Sequence, residues 1–137
     1  MFDHERLEVY RVSLDYIQWV SHNCAELKGN AVSARDKLIR LSQSIVQNIA
    51  EGTGKKNMIE RREYFQKAHG FALESASILD VLVAMEAVEK SVSEKGKELL
   101  KRIVTMLSKI TSSADLVHEE LEYYNLFGTV DELGWKY

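Results

Sequence analysis

A polar stripe on a predicted helix is the feature of this sequence that most suggests a site. Four polar residues follow one another at intervals of four, four and three positions: Arg40, Ser44, Asn48 and Glu51. These intervals place them on one edge of a helix, beside apolar positions of the same helix. Buried polar groups are costly unless they are paired, so we expect the stripe to fix helix register or a subunit contact, with Gly52 ending the helix. We also expect Glu74, on the next helix, to pair with Arg40 or Asn48.

An acid–base set is a second interpretation of the same region. Glu51, His69 and Glu74 can converge between two helices and transfer protons, although structural pairing of these polar groups is the preferred interpretation. Cys24 lies on an apolar stripe, where cysteine is usually a small buried hydrophobe, and no nucleophile motif surrounds it. The sequence therefore predicts a protein that is not an enzyme and has no small-molecule substrate.

Metal and phosphate sites are also poorly supported. The loop Gly52–Lys56 resembles a phosphate cradle, but it lacks the preceding strand, the glycine spacing and the hydroxyl residue that a P-loop requires. A helix C-cap followed by a solvated turn explains it better. A di-metal bundle site needs two Glu-x-x-His motifs, and Asp115 with His118 is a single near match. We expect no metal and no cofactor.

Charge is unevenly distributed along the chain. The net charge is −3, yet residues 35–67 hold eight bases and four acids, a local charge of +4. This asymmetry fits either an anionic partner or two solvated helix faces of opposite charge. If RNA binds, the predicted phosphate contacts are six basic residues: Arg35, Lys37, Lys55, Lys56, Arg61 and Arg62.

Length and composition favour one helical domain. The chain has 137 residues, no proline and one cysteine, so long helices are possible and an internal disulfide framework is excluded. Charges throughout residues 1–25 argue against a signal peptide, and no apolar run is long enough to span a membrane. We therefore expect a cytoplasmic protein that does not enter a membrane.

Hydrophobic periodicity predicts four helices, over about 3–27, 33–54, 58–89 and 91–124. Ser33 with Asp36 and Ser91 with Glu94 have the spacing of capping boxes, and Asn57 can cap the third helix. Short connections favour an all-α, antiparallel up-down four-helix bundle over residues 1–124, with a C-terminal tail over 125–137.

Three of the helices carry apolar residues on more than one side. The predicted inward stripe of the first helix is Leu7, Tyr10, Leu14, Ile17 and Cys24, and that of the third is Tyr64, Ala68, Phe71, Ser75, Ile78, Leu82 and Met85. The predicted stripe of the second helix is Ala34, Leu38, Leu41, Ile45 and Ile49, and that of the fourth is Leu100, Ile103, Leu107, Ile110, Ala114, Val117, Leu121 and Tyr124. Further apolar residues lie outside the stripes: Val9, Val12, Trp19, Val20, Leu79, Val81, Val83, Leu99, Met106 and Leu116. A second apolar face is typical of oligomers, so we predict a homo-oligomer.

The segment 36–54 resembles the signature of a bacterial family, the four-helix-bundle proteins encoded by intervening sequences within 23S ribosomal RNA genes. The family pattern, roughly D-x-L-x-R-x-x-x-S-I-x-x-N-I-A-E-G-x-G, is matched at Asp36, Leu38, Arg40, Ser44, Ile45, Asn48, Ile49, Ala50, Glu51, Gly52 and Gly54. A second family block is matched at Tyr64, Phe65, Ala68, Gly70 and Glu74, whereas Phe71 replaces its usual serine. The resemblance covers about residues 3–115.

This resemblance implies a left-handed bundle that assembles into a ring, commonly a homopentamer. It extends distantly to the accessory protein of diversity-generating retroelements, which binds a reverse transcriptase and nucleic acid. That relative is basic and this chain is acidic, so the nucleic-acid role transfers weakly. We expect an adaptor or RNA-associated accessory factor. The alternative is a protein-binding scaffold without nucleic-acid contact, whose partner docks on the ring or on residues 125–137.

Overall fold

The computed structural model describes residues 1–111, and all regular structure within them is helical. The four α-helices are α1 (Glu8–Asn23), α2 (Val32–Thr53), α3 (Met58–Ala84) and α4 (Lys90–Thr111), and short 3-10 helices cover Asp3–Arg6 and Gly29–Ala31. Each helix packs on its neighbours in the chain, and α4 returns to pack on α1. The predicted all-α bundle is confirmed.

The buried stripes of α2 and α4 are the ones that periodicity predicts. Both helices alternate clearly between an apolar face and a polar face, so their inward direction is unambiguous. Their buried apolar residues are Leu38, Leu41, Ile45 and Ile49 in α2, and Leu100, Ile103 and Leu107 in α4.

The predicted inward stripes of α1 and α3 are confirmed at Leu7, Cys24, Ala68, Ser75 and Leu82, which are buried, whereas the buried side is turned by about one residue at other positions. Leu14, expected in the core, is 42% exposed, whereas Val12 and Val20 are buried. In α3, Leu79 is buried and Ile78 is half-buried. Both helices carry apolar residues on adjacent sides, so periodicity alone permits two neighbouring orientations.

A buried hydrogen bond links α1 to α3 across the bundle. The hydroxyl of Tyr16 pairs with the hydroxyl of Ser75, and both side chains are completely buried. Burial raises the pKa of the Tyr16 phenol above its ordinary value, while the bond to Ser75 opposes that effect. This pair explains why a polar residue occupies the inward side of α3.

Two glycines allow close approach between helices. A Cβ atom at Gly96 in α4 would lie 2.5 Å from the Trp19 ring of α1. A Cβ atom at Gly52 in α2 would lie 3.0 Å from both Phe65 and Tyr64 of α3. The structure therefore gives Gly52 a packing role at the α2–α3 junction.

The helix boundaries confirm one predicted cap and correct others. Asn57 Oδ1 accepts hydrogen bonds from the backbone amides of Ile59 and Glu60, as predicted. The first predicted helix is interrupted at Leu7, and α2 begins at Val32 without a side-chain cap. Helix α4 begins at Lys90, before the predicted cap Ser91.

The third helix ends earlier than predicted, at Ala84. Glu86 adopts a φ of 60°, a left-handed conformation that glycine usually supplies at a helix end. The predicted extension of the fourth helix to residue 124, and the predicted tail over 125–137, lie outside the described residues. Across residues 1–111, no helix has the length and apolar character needed to cross a membrane.

Candidate functional site

The polar stripe of α2 lies on the surface of the bundle. Arg40 and Glu51 are exposed, and Ser44 and Asn48 are half-buried. Asn48 Nδ2 donates to the Ser44 carbonyl at 2.7 Å, and Glu51 lies 3.8 Å from the ammonium of Lys55. The other helices leave much of this stripe accessible, because the apolar face of α2 occupies the core. Its predicted role in subunit contact stays a prediction.

Glu74 does not form the predicted pair within the chain. It is exposed, and it contacts neither Arg40 nor Asn48 in the described structure. The next residue, Ser75, points into the core, and one residue along a helix turns the side chain by about 100°. Glu74 therefore points away from the interior.

An open groove of about 830 Å³ surrounds the C-terminal end of α2. We call it the α2 groove. Its lining residues are His4, Gln47, Asn48, Ala50, Glu51, Gly54, Lys55 and Tyr64. Asn48, Glu51 and Gly54 belong to the segment that carries the family resemblance, so this part of the sequence shapes a surface depression as well as a helix end.

His4 is a groove residue that the sequence did not predict. The 3-10 helix Asp3–Arg6 returns the start of the chain against α2. There the His4 ring stacks on Phe2 and meets the edge of Tyr10, with ring centroids 5.7 and 4.6 Å apart. A lone histidine near the start of a chain gives no sequence signal for such a position.

Tyr64 presents an aromatic ring to two lysines beside the groove. The ammonium groups of Lys55 and Lys67 lie 5.3 and 5.0 Å from the ring centroid, within cation–π range. Lys67 was not among the predicted site residues. This arrangement combines positive charge with an aromatic ring at the surface.

Three of the six basic residues predicted to contact phosphate bind backbone carbonyls instead. Arg61 is buried, and its Nε and Nη2 donate to the carbonyls of Gly52 and Thr53 at 3.2 and 2.6 Å. It therefore closes the C-terminal end of α2, and the prediction that it contacts phosphate is wrong. Arg62 Nε donates to the Thr111 carbonyl at 2.8 Å, at the end of α4.

Arg35 is likewise held within the fold, and the predicted lysines are more accessible. Arg35 Nη1 donates to the Leu27 carbonyl at 2.8 Å, and its Nη2 lies 2.9 Å from Asp36. Lys37 and Lys56 are exposed, and Lys55 is half-buried. Their contact with phosphate stays a prediction.

The predicted acid–base set does not assemble. His69 Nε2 is 3.0 Å from the Ser108 hydroxyl of α4, whereas Glu51 lies in the α2 groove and Glu74 faces outward. The α2 groove contains His4 but neither His69 nor Glu74. These three residues therefore do not form one catalytic site.

Cys24 is a core residue, as its position on an apolar stripe predicted. Its side chain is completely buried, and burial raises the pKa of the thiol to about 11. A thiol that stays protonated at neutral pH is a poor nucleophile.

Residues 1–111 contain no group of three or more histidine, cysteine or acidic side chains arranged to hold a metal ion. The near match of Asp115 with His118 lies outside the described residues.

Comparison with known proteins identifies the family. No curated protein matches the chain. The model of the family described as 23S rRNA-intervening sequence protein matches residues 5–109, which include all four described helices except the last two residues of α4. This match agrees with the resemblance of the α2 segment, and it covers most of the chain. The chain belongs to the 23S rRNA-intervening sequence protein family.

Proposed function

We propose that the chain is a non-enzymatic subunit of a homo-oligomer that acts as an adaptor for other macromolecules. The observation that carries this proposal is the outer face of α3, defined by Ile59, Gly70, Leu73 and Val81. The three apolar side chains on this face are 53%, 52% and 42% exposed. Large apolar residues sharing one exposed helix side favour a protein contact.

Gly70 strengthens this interpretation. It is exposed within α3, and a Cβ atom there would meet no atom of residues 1–111 within 4 Å apart from the backbone of its own helix. Glycine inside a helix costs about 1 kcal/mol relative to alanine. Packing within one chain does not explain this cost, whereas a second subunit resting on the outer face of α3 explains it.

A second exposed apolar position lies on a different side of the bundle. Leu14 of α1 is 42% exposed. Helix α1 packs mainly on α2 and α4, so it lies diagonally opposite α3. Contact between two different sides of neighbouring subunits is heterologous, and such contacts generate closed rings when the rotation permits. The predicted pentameric ring is compatible with this arrangement.

Light scattering of the purified full chain tests the assembly. We expect a homo-oligomer, and we expect Leu73→Lys to lower the mass toward that of one subunit while circular dichroism shows unchanged helicity. Thr105→Lys is the matched control, because it adds the same charge at an exposed position of α4 and should leave the mass unchanged. Equal masses for the two variants would contradict a role for the outer face of α3.

RNA association is the second candidate function. It is favoured by Lys55, which lies beside the Tyr64 ring, and by Lys56, which is exposed in the same turn. Filter binding to structured RNA should show retention that weakens steeply between about 50 and 200 mM salt. Lys55→Glu with Lys56→Glu should abolish retention, and Lys90→Glu with Lys95→Glu is the control at exposed sites elsewhere. Absence of retention even at the lower salt concentration would reject this candidate and leave a protein-binding scaffold.

A further inference from the structure

The end of the bundle where the described chain stops carries a net positive charge. We call this region the basic end, and its residues are 1–11, 47–69 and 101–111. They include ten bases and six acids, a net charge of +4, whereas the other described residues carry −2. Most of this charge comes from two segments that folding brings together, because residues 47–69 carry +2 and residues 101–111 carry +3, whereas residues 1–11 carry −1.

Specific contacts bring these segments together. The Arg62 side chain reaches the Thr111 carbonyl, which joins the start of α3 to the end of α4. Arg102 of α4 lies 3.5 Å from Glu8 at the start of α1. His4 lines the α2 groove beside Lys55 and Tyr64. The basic end and the α2 groove are therefore parts of one surface.

Residues 112–137, which follow the described part of the chain, have the opposite net charge to the basic end. Residues 112–137 contain six acids and one lysine, a net charge of −5. Their last thirteen residues combine acids with apolar and aromatic side chains: Leu126, Phe127, Val130, Asp131, Glu132, Leu133, Trp135 and Tyr137. This composition complements a surface that offers lysines beside an aromatic ring.

The point where the described chain stops lies on the same surface. Thr111 is held by Arg62, and residues 112–124 connect it to the last thirteen residues. Thirteen residues span about 20 Å as a helix and at most about 45 Å when extended. Two packed helices are together about 20 Å wide, so either length allows the last thirteen residues to reach the α2 groove of their own chain.

We propose that residues 125–137 bind in the α2 groove of the same molecule. Asp131 and Glu132 supply negative charge that complements Lys55 of the groove and the neighbouring Lys56, and the aromatic residues of the segment supply apolar surface that complements Tyr64 and His4. Covalent attachment raises the effective concentration of the segment to roughly millimolar, which favours its own groove over that of another molecule. This inference does not require the proposed oligomer, and residues 125–137 would compete with RNA for Lys55 and Lys56.

Trp135 provides a direct probe of this contact. The chain has two tryptophans, so Trp19→Phe leaves Trp135 as the single indole fluorophore. In this otherwise complete chain, without RNA, we expect Trp135 to be protected from acrylamide quenching. Adding Lys55→Glu and Lys56→Glu should increase the quenching constant severalfold, and Asp131→Lys with Glu132→Lys should restore protection. Lys90→Glu with Lys95→Glu is the matched control and should have no effect.

Carbodiimide crosslinking of the unsubstituted chain gives a measurement that does not depend on variants folding. We expect crosslinks from Lys55 or Lys56 to Asp131 or Glu132. When chains labelled with light and heavy isotopes are mixed, each crosslinked peptide pair should carry a single label, because both peptides come from one molecule. Mixed-isotope crosslinks would overturn binding within the same molecule and assign the segment to a second copy. Quenching of Trp135 equal to that of free tryptophan, unaffected by the lysine substitutions, would overturn the contact altogether.

Discussion

Contacts among residues 1–111 explain the residue types on the inner side of α3, but they do not explain the apolar residues on its outer face. Ser75 pairs with Tyr16, and Arg61 holds the end of α2. On the outer face of α3, Leu73 is 52% exposed and Glu74 beside it has no partner from the described residues. One side of α3 therefore carries residues that stabilise the fold, and the other side carries apolar residues that the fold of residues 1–111 does not require.

Glycines show the same contrast. Gly96 is needed because the Trp19 ring occupies the space that a side chain would fill, whereas the space beside Gly70 is open. This difference separates residues that act in folding from residues available for assembly. Substitutions on the inner side should change stability, and substitutions on the outer face of α3 should change mass with little effect on the subunit.

The largest effect should come from Arg61→Ala. It leaves the Thr53 carbonyl without its guanidinium donor, at about 1–3 kcal/mol for a buried acceptor, and the Gly52 carbonyl keeps only the bond from the Lys55 amide. We expect a loss of about 3 kcal/mol in the free energy of unfolding, measured with urea. Lys56→Ala at an exposed position of the same turn should cost less than about 0.5 kcal/mol. Similar losses of unfolding free energy for the two variants would contradict the role of Arg61 in holding the end of α2.

Gly96→Ala should cost about 2 kcal/mol, because the added methyl group overlaps the Trp19 ring. Trp19→Phe removes the ring atoms that lie 2.5 Å from the place where the new methyl group would sit, so the double variant should lose less stability than the sum of the single variants. Thermal or urea unfolding of all four proteins measures this coupling. Additive losses would show that the close approach is not what constrains Gly96.

Alkaline pH should weaken the fold through Cys24. Its pKa is about 11 in the folded chain against 9.0 ordinarily, so the unfolded chain releases the thiol proton first. The contribution is fully present below pH 9 and is lost as pH rises toward 11, amounting to about 1 kcal/mol at about pH 10. Urea unfolding at several pH values should show a smaller decline for Cys24→Ala than for the unsubstituted chain. Identical slopes would contradict burial of the thiol.

Asn57→Ala should cost about 1 kcal/mol, because two amides at the start of α3 lose their acceptor. Ser33→Ala is an informative control, since Ser33 has capping-box spacing in the sequence but does not cap α2 in the structure. Its expected cost is below about 0.5 kcal/mol. A larger loss of stability for Ser33→Ala than for Asn57→Ala would contradict the conclusion that Asn57 caps its helix and Ser33 does not.

Much of the fold was predictable because helix periodicity and turn residues are local signals. The buried stripes of α2 and α4 followed from their strongly one-sided patterns, and the Asn57 cap followed from its residue type and position. The orientations of α1 and α3 did not follow, since both helices carry apolar residues on adjacent sides. The end of α3 was missed because Glu86 adopts a left-handed conformation without a glycine to signal it.

The candidate site was less predictable, because it depends on which groups meet in space. Arg61 and Lys56 are both basic residues of one turn, and sequence alone does not show that the first binds carbonyls while the second faces solvent. His4 joins the α2 groove through the return of the chain's first residues against α2. The segment that resembles the family signature borders the α2 groove, but the predicted pairing of Glu74 within the chain was wrong.

Native mass spectrometry of the full chain, over a range of protein concentrations, tests most directly whether the outer face of α3 serves assembly. We predict a discrete species whose mass is a whole multiple of 15.7 kDa, and a shift of Leu73→Lys toward the single subunit. A single 15.7 kDa species for the unsubstituted chain at every concentration would contradict the proposed homo-oligomer.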